Sequence, residues 1–277
     1  MNDNSRITHD HSRTTKRSMN HDETGAWQVI TVGTVDSTNG LAAEWVRDRL
    51  ARNEQAGGVA VVAERQRAGR GQHGRVWESP PGGMYLSAAV DGLPAEMRDR
   101  LPLVAGVAAV RALRDVGISG AGIRWPNDVM IGGKKVGGIL CEGVALGDRF
   151  AAIVGMGINV TTALDALPER VRDRATSLLE ADGVRREVKA VVAAVLGRLG
   201  EAIDAARREG LDGIMAVARG MDVLRGQVVV VALDGVEISG VGAGISEKGE
   251  LLLKLKDGAR SLKVGTVMSV AGVEVRG

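Results

Sequence analysis

Four arginines stand within eleven residues, at Arg65, Arg67, Arg70 and Arg75, in the stretch "RQRAGRGQHGR". Glycines separate them, and no acidic residue lies between Glu64 and Glu78. A guanidinium is a rigid fork that binds phosphate or carboxylate oxygens in pairs, and Gly69 and Gly71 let the backbone approach a ligand closely. The stretch is a candidate anion-binding loop; the alternative is a solvated run of charge, the usual fate of arginine clusters. A second cluster, "RWPNDVMIGGKKVGG", puts Trp125, Asn127 and Asp128 on a turn at a strand end and Lys134 and Lys135 one hairpin later. At ~3.3 Å per residue, a two-residue turn at Gly132-Gly133 brings Lys135 back within reach of Asp128. These four side-chain types can stack a base, fix its edge, hold a metal and neutralise phosphate. The alternative is a surface hairpin with a core tryptophan.

The glycines of "GRGQHG" (69–74) also match the dinucleotide fingerprint G-x-G-x-x-G, with a strand before it and Asp91 twenty positions after Gly71. A Rossmann site needs a helix to begin inside the motif, so that its free N–H groups hold a pyrophosphate. Here "RVWESPPGGMYLS" follows, and two prolines and two glycines deny it an α-helix. The dinucleotide reading fails, and no G-x-x-x-x-G-K-[ST] offers a P-loop instead. His73 is the only histidine after residue 26, which argues against a Ser-His-Asp triad or a histidine-rich metal site in the folded part. Cys141 is the only cysteine, so no intrachain disulfide forms; a reducing cytoplasm fits, and the residue reads as a small buried hydrophobe. A formal charge of +2 does not argue for nucleic acid. No apolar run reaches the ~18 residues of a membrane span, and the N-terminus has no signal-peptide pattern.

The elements that position these clusters follow from periodicity. Residues 1–26 are almost devoid of apolar side chains and read as a disordered tail, with Met19 a second candidate start. "WQVITVGTV" is a strand; "DSTN" supplies N-cap residues for a helix carrying Leu41, Trp45, Val46 and Leu50. "GGVAVVAE" and "MYLSAAV" are strands on either side of the arginine loop. Residues 97–117 form a helix covered on several sides, with Pro102 in its first turn. Then come "GIRW", "VMI", "KKVGGILCEGVAL" and "DRFAAIVGMGINV", consecutive hairpins with no crossover helix between them. The class is α+β, a mixed sheet with helices on one side. A helix spans 186–209, and beyond "MDVLRGQ" the period becomes two, with Gly and Asp-Gly breaks, as in a small β-barrel. The expected divisions are 1–26, 27–223 and 224–277.

"DSTN", "AERQRAGRGQHGRVW", "RWPNDV", "KKVGGIL" and "GMGINV", in this order and spacing, resemble the biotin protein ligases, and the likeness continues through "RATSLLE" into the small barrel. The lipoate-ligase signature "RRxxGGGxVxH" has no counterpart. The resemblance implies a class II synthetase-like catalytic domain, a mixed sheet flanked by helices, with an SH3-like C-terminal domain. It implies that biotin is activated with ATP and Mg2+ to biotinyl-5′-adenylate and passed to one lysine of a biotin carboxyl carrier domain of a carboxylase. It places the biotin ureido ring against Ser37, Thr38, Asn39 and Gln66, with Gly69 and Arg70 closing over the bicyclic ring and chain. Lys135 bridges the biotin carboxylate and the α-phosphate; Arg75 and Gln72 face the phosphates, Trp77 flanks the adenine, and Gly138 and Asn159 complete the floor. Asn127 holds the nucleotide, and Asp128 its metal, and Asp128 also helps the incoming lysine lose its proton. A cytoplasmic homodimer is implied, without a membrane or DNA partner, since the residues before Trp27 are too few for a helix-turn-helix domain.

One position departs from the family pattern. The loop of that family reads G-R-G-R, and here Gln72 replaces the second arginine. The loss of one bidentate phosphate contact predicts faster escape of the adenylate. The alternative function is a non-catalytic protein of this fold that senses biotin or its adenylate. A peptide- or RNA-binding role for the C-terminal barrel is disfavoured, because it has no aromatic residue.

Overall fold

A computed structural model of the chain describes residues 20–24, 27–271 and 273–274. The expectations for the first nineteen residues lie outside the described residues. In chain order the first part comprises β1 (Asn20–Thr24), β2 (Trp27–Val35), α1 (Thr38–Ala51), β3 (Val59–Gln66), β4 (Gly83–Asp91), α2 (Ala95–Arg98) and α3 (Leu101–Asp115). Then follow β5 (Ala121–Arg124), β6 (Asp128–Ile131), β7 (Lys134–Leu146), β8 (Arg149–Asn159), α4 (Glu169–Arg172), α5 (Leu178–Asp182), α6 (Val188–Glu209) and α7 (Asp212–Gly220). The eight strands form one sheet in the order β1-β2-β3-β4-β8-β7-β6-β5. Only β2 and β3 pair in parallel, because α1 carries the chain back between them; the others are joined as antiparallel neighbours.

β1 corrects the expected tail, since Asn20 to Thr24 pair antiparallel with β2, Asn20 opposite Thr31. "NHDET" has no apolar residue to announce a strand; it satisfies the open backbone edge of β2, which needs no particular side chain.

The helices lie on both faces of the sheet, not on one. Val61, Ala89 and Ile153 pack with Ala42, Ala43, Val46 and Leu50 of α1. Their strand neighbours Ala60, Val62, Ala88 and Val154 point the other way, into a core shared with α3, α6 and α7. The continuous apolar runs of β3 and β4 carry this information, because a strand covered on one face alternates and one covered on both does not. α3 is buried all round from Leu101 to Leu113, with its proline in the first turn as expected. Ser37 caps α1 by accepting from Gly40 N, and this sets Thr38 and Asn39 at the start of the helix, over the middle of the sheet.

The remaining strands are β9 (Val228–Leu233), β10 (Val236–Ile245), β11 (Leu251–Leu255), β12 (Gly258–Leu262), β13 (Thr266–Val270) and β14 (Val273–Glu274). They form an antiparallel sheet in the order β12-β11-β10-β9-β13-β14. The Asp-Gly break is a turn with positive φ at Asp234 and Gly235 (49° and 81°). The link to the first sheet covers the β5 edge: Ile123 N donates to Met221 O at 2.7 Å and Val223 N to Ile123 O at 3.0 Å. Trp125 Nε1 donates to Gly249 O at 3.0 Å and binds the two sheets together. Among the described residues no helix is long and apolar enough to cross a membrane.

Candidate active site

One pocket opens between the arginine loop, the faces of β7 and β8, and β13 of the second sheet. Ser37, Thr38, Asn39 and Gln66 line one end; Arg70, Gln72, Arg75 and Trp77 come from the loop; Asn127, Asp128, Lys135, Gly138 and Asn159 line the other side. Of the site residues that the family resemblance implied, only Gly69 is absent from the lining; of the two candidate clusters, Arg65, Arg67 and Lys134 also lie outside it. A Cβ there would lie 2.4 Å from Trp77 O and 2.8 Å from Ser79 Oγ, so Gly69 lets the stem of the loop close upon itself. The stem bond runs from Trp77 N to Gly69 O at 2.9 Å. Within the loop, residues Gln72–Gly74 make a single 3-10 turn, and Asp91 accepts from Ala56 N and Gly57 N at 2.9 Å each. Neither the helix nor the acid of a dinucleotide site is present.

The hairpin of the second cluster forms as expected. Gly132 and Gly133 both have positive φ (56° and 79°), and Lys135 Nζ sits 2.6 Å from Asp128 Oδ1. The other carboxylate oxygen accepts from Arg124 Nε at 3.0 Å and Nη2 at 2.6 Å. Burial by itself would raise the Asp128 carboxyl; the charges and hydrogen bonds of Lys135 and Arg124 outweigh it and hold the group below the usual carboxylate range. Both oxygens are already committed to cations, and no group of three or more His, Cys, Asp or Glu gathers among the described residues, so the side chains present do not by themselves make a metal site around Asp128. A carboxylate held below its usual range is a weaker proton acceptor. Asp128 instead fixes the Lys135 ammonium at the pocket wall.

Gly138 and Gly157 are cross-strand partners on β7 and β8, and together they form a flat shelf. The Trp77 indole lies across it: a Cβ on Gly157 would meet Trp77 Nε1 at 2.4 Å, and one on Gly138 would meet Cζ3 at 3.1 Å. Lys135 Nζ stands 5.3 Å from the centre of the Trp77 ring. Trp77 Nε1 is buried without a hydrogen-bond partner, in the wall of the pocket. Asn127 and Asn159 each donate an amide N–H to backbone, to Ile139 O at 2.7 Å and Thr176 O at 3.0 Å, so they stiffen the floor.

The loop cations are not all free. Arg70 Nη2 pairs with Glu142 Oε2 at 2.8 Å and Arg67 Nη1 with Asp36 Oδ1 at 3.4 Å. Glu142 lies 72 residues away on β7, beyond the reach of any local charge count. Arg75 is exposed and makes no ion pair with a described residue. Trp125 is buried against the second sheet, so its side of the alternatives is settled as a core residue that also lines the pocket. Cys141 is partly buried, and burial, with the charge of Glu142 beside it, pushes its thiol up. Sequence reasoning missed Arg124, Arg174, Gly157 and Thr266 as lining residues. The glycine spacing in "GMGINV" is the one signal that pointed to the shelf.

Fold and site together define a small-molecule pocket on a mixed α+β sheet, in which two cation clusters face a row of hydroxyls and amides. Residues 33–159 match the model of the biotin/lipoate A/B protein ligase family. The biotin–acetyl-CoA-carboxylase ligase of Mycobacterium tuberculosis is 34% identical over 223 residues, 78% of this chain and 80% of that protein. The bifunctional ligase/repressor BirA of Bacillus subtilis is 39% identical over 150 residues, 53% of this chain and 46% of that protein, so this match spans about half the relative's length. The solved biotin protein ligase from Aquifex aeolicus, in complex with biotin and ATP, superimposes with a TM-score of 0.75 at 33% identity, covering 86% of this chain and 97% of that one. The chain belongs to the biotin/lipoate A/B protein ligase family.

Proposed function

We propose that the protein is an ATP-dependent biotin protein ligase. In the first step a biotin carboxylate oxygen attacks the α-phosphorus of ATP, giving biotinyl-5′-adenylate and releasing pyrophosphate. In the second, the amine of a lysine on a biotin carboxyl carrier domain attacks the carbonyl of this mixed anhydride and AMP leaves. Two anions must meet in the first step, and a fixed cation between them lowers the barrier because it needs no reorganisation as charge shifts. The observation that carries the reading is Lys135, pinned by Asp128 beside the Trp77 ring in the same pocket that the polar row of Thr38 and Gln66 lines. Arg75, whose exposed side chain makes no ion pair with a described residue, is suited to the phosphates, and the row to the ureido group.

The biotin and ATP bound by the Aquifex relative support the same assignment for this pocket. We assign Mg2+ no ligand in this chain and route no step through it. Residues 27–223 would act as the catalytic unit and 224–277 as an SH3-like unit that lends Gly265, Thr266 and Val267 to the pocket wall. Family likeness alone adds a cytoplasmic homodimer to the reading. Pyrophosphate release that requires both biotin and ATP tests the proposal; biotin binding without any release would instead identify a sensor.

A further inference from the structure

Glu142 does not line the pocket, yet its carboxylate ties together two parts that do. Its Oε2 accepts from Arg70 Nη2 at 2.8 Å and from Asn39 Nδ2 at 2.6 Å. From Asn39 the hydrogen bonds continue inward. Ser87 Oγ lies 2.5 Å from Asn39 Oδ1 and 2.7 Å from Thr38 Oγ1, and Thr38 N donates to Gln66 Oε1 at 2.9 Å. Gln66 Nε2 then donates to Ser79 Oγ at 2.9 Å, and Ser79 to Trp77 O at 3.1 Å. The row thus begins and ends on the arginine loop, at Arg70 and Trp77.

Its direction is fixed at both ends. The Glu142 carboxylate and the Leu140 carbonyl, 2.6 and 3.3 Å from Asn39 Nδ2, only accept, so Asn39 turns its NH2 toward them and its Oδ1 toward Ser87. Ser87 has one proton, and Asn39 takes it, which leaves Ser87 Oγ to accept from the Thr38 hydroxyl 2.7 Å away in preference to the longer 3.2 Å contact of that hydroxyl with Gln66 Oε1. At the far end the Thr38 N–H, a donor only, makes Gln66 present its oxygen inward and its NH2 to Ser79. Gly155 clears space for this order, since a Cβ there would lie 2.1 Å from Asn39 Oδ1. Asn39, Thr38 and Ser87 are 5%, 3% and 0% exposed, so an inverted amide would leave a buried polar group unpaired. The Arg70 pair alone counts for little, because the Arg70 side chain is 47% exposed.

We infer that Glu142 is the positioning residue that sets the donor–acceptor order of Asn39 and, through Ser87, of the Thr38 hydroxyl, and so the hydrogen-bond pattern they offer to biotin, while anchoring Arg70 over the same end. The inference rests on the biotin ligase reading. Its test is a swap that breaks and then restores the order, read by calorimetric titration of biotin and, separately, of ATP. Asn39→Asp alone sets two carboxylates face to face and is expected to weaken biotin at least about tenfold, with ATP affinity within about twofold. Adding Glu142→Gln lets the new amide donate to the carboxylate at 39 while Ser87 keeps its acceptor, and is expected to recover most of the loss. A double variant no better than the single one, or equal losses for biotin and ATP, would overturn the inference. Glu142→Ala gives an independent reading: about tenfold weaker biotin supports it, and unchanged biotin affinity overturns it. Should the unaltered protein bind no biotin, the ligase reading itself falls and takes this inference with it.

Discussion

Alanine at Gly157 places a Cβ 2.4 Å from Trp77 Nε1 and 2.5 Å from Cε2, where ordinary contacts begin at 3.4 Å. The indole must therefore move by about an ångström. It cannot slide along the shelf freely, because Trp77 N is bonded to Gly69 O and the paired Gly138 supports the other edge of the ring. The ring lifts toward the open side of the pocket. Overpacking of this size costs about 1–3 kcal/mol. If Trp77 flanks the adenine, that cost falls on nucleotide affinity as roughly a 5- to 150-fold loss. Because the pocket gives the ring somewhere to go, the fold itself should lose little stability. Calorimetric titration of an ATP analogue, with biotin titrated in parallel and a thermal melt of each variant, measures all three quantities. Nucleotide affinity within twofold of the unaltered protein in Gly157→Ala would refute the shelf and the role of Trp77.

Lys135→Met should lower the rate of pyrophosphate release about 10²–10³-fold, as for loss of one preorganised charge donor. Its folding stability should fall by no more than about 1 kcal/mol, because Arg124 still pairs with Asp128; calorimetric unfolding checks this. Asp128→Asn leaves Arg124 and Lys135 facing each other and should destabilise the protein by about 3 kcal/mol at neutral pH. The folded carboxyl lies below its unfolded value of about 3.9, so this gap is full above roughly pH 5 and closes as pH falls through the depressed value. Urea unfolding of both proteins across that range tests the sign, and a gap that widened on acidification would contradict it. Gln72→Arg should slow release of the adenylate, measured by trapping it from single-turnover mixtures; an unchanged release rate would show that position 72 does not hold the loop.

Much of the site was legible in one dimension. The Gly132-Gly133 turn dictates that Lys135 meets Asp128, and the loop prolines rule out a nucleotide-binding helix. What remained hidden depended on which strands lie beside which. Glu142 reaches Arg70 only because β7 and β8 sit across the sheet from β3, and Asp128 is committed to a second cation only because Arg124 lies opposite it on β5. β1 left no trace because backbone pairing at a sheet edge asks nothing of its side chains. The opposite placements of α1 and α3 were written in the unbroken apolar runs of β3 and β4, a pattern that alternation rules pass over.

The most direct measurement of the central claim is transfer of labelled biotin. The protein is incubated with ATP, labelled biotin and a biotin carboxyl carrier domain, and label is followed on the carrier by gel and mass spectrometry. The prediction is ATP-dependent labelling of one carrier lysine, with pyrophosphate and AMP released in step and with labelling slowed about 10²–10³-fold in Lys135→Met. An unlabelled carrier, despite biotin and ATP both bound in the pocket, would contradict it.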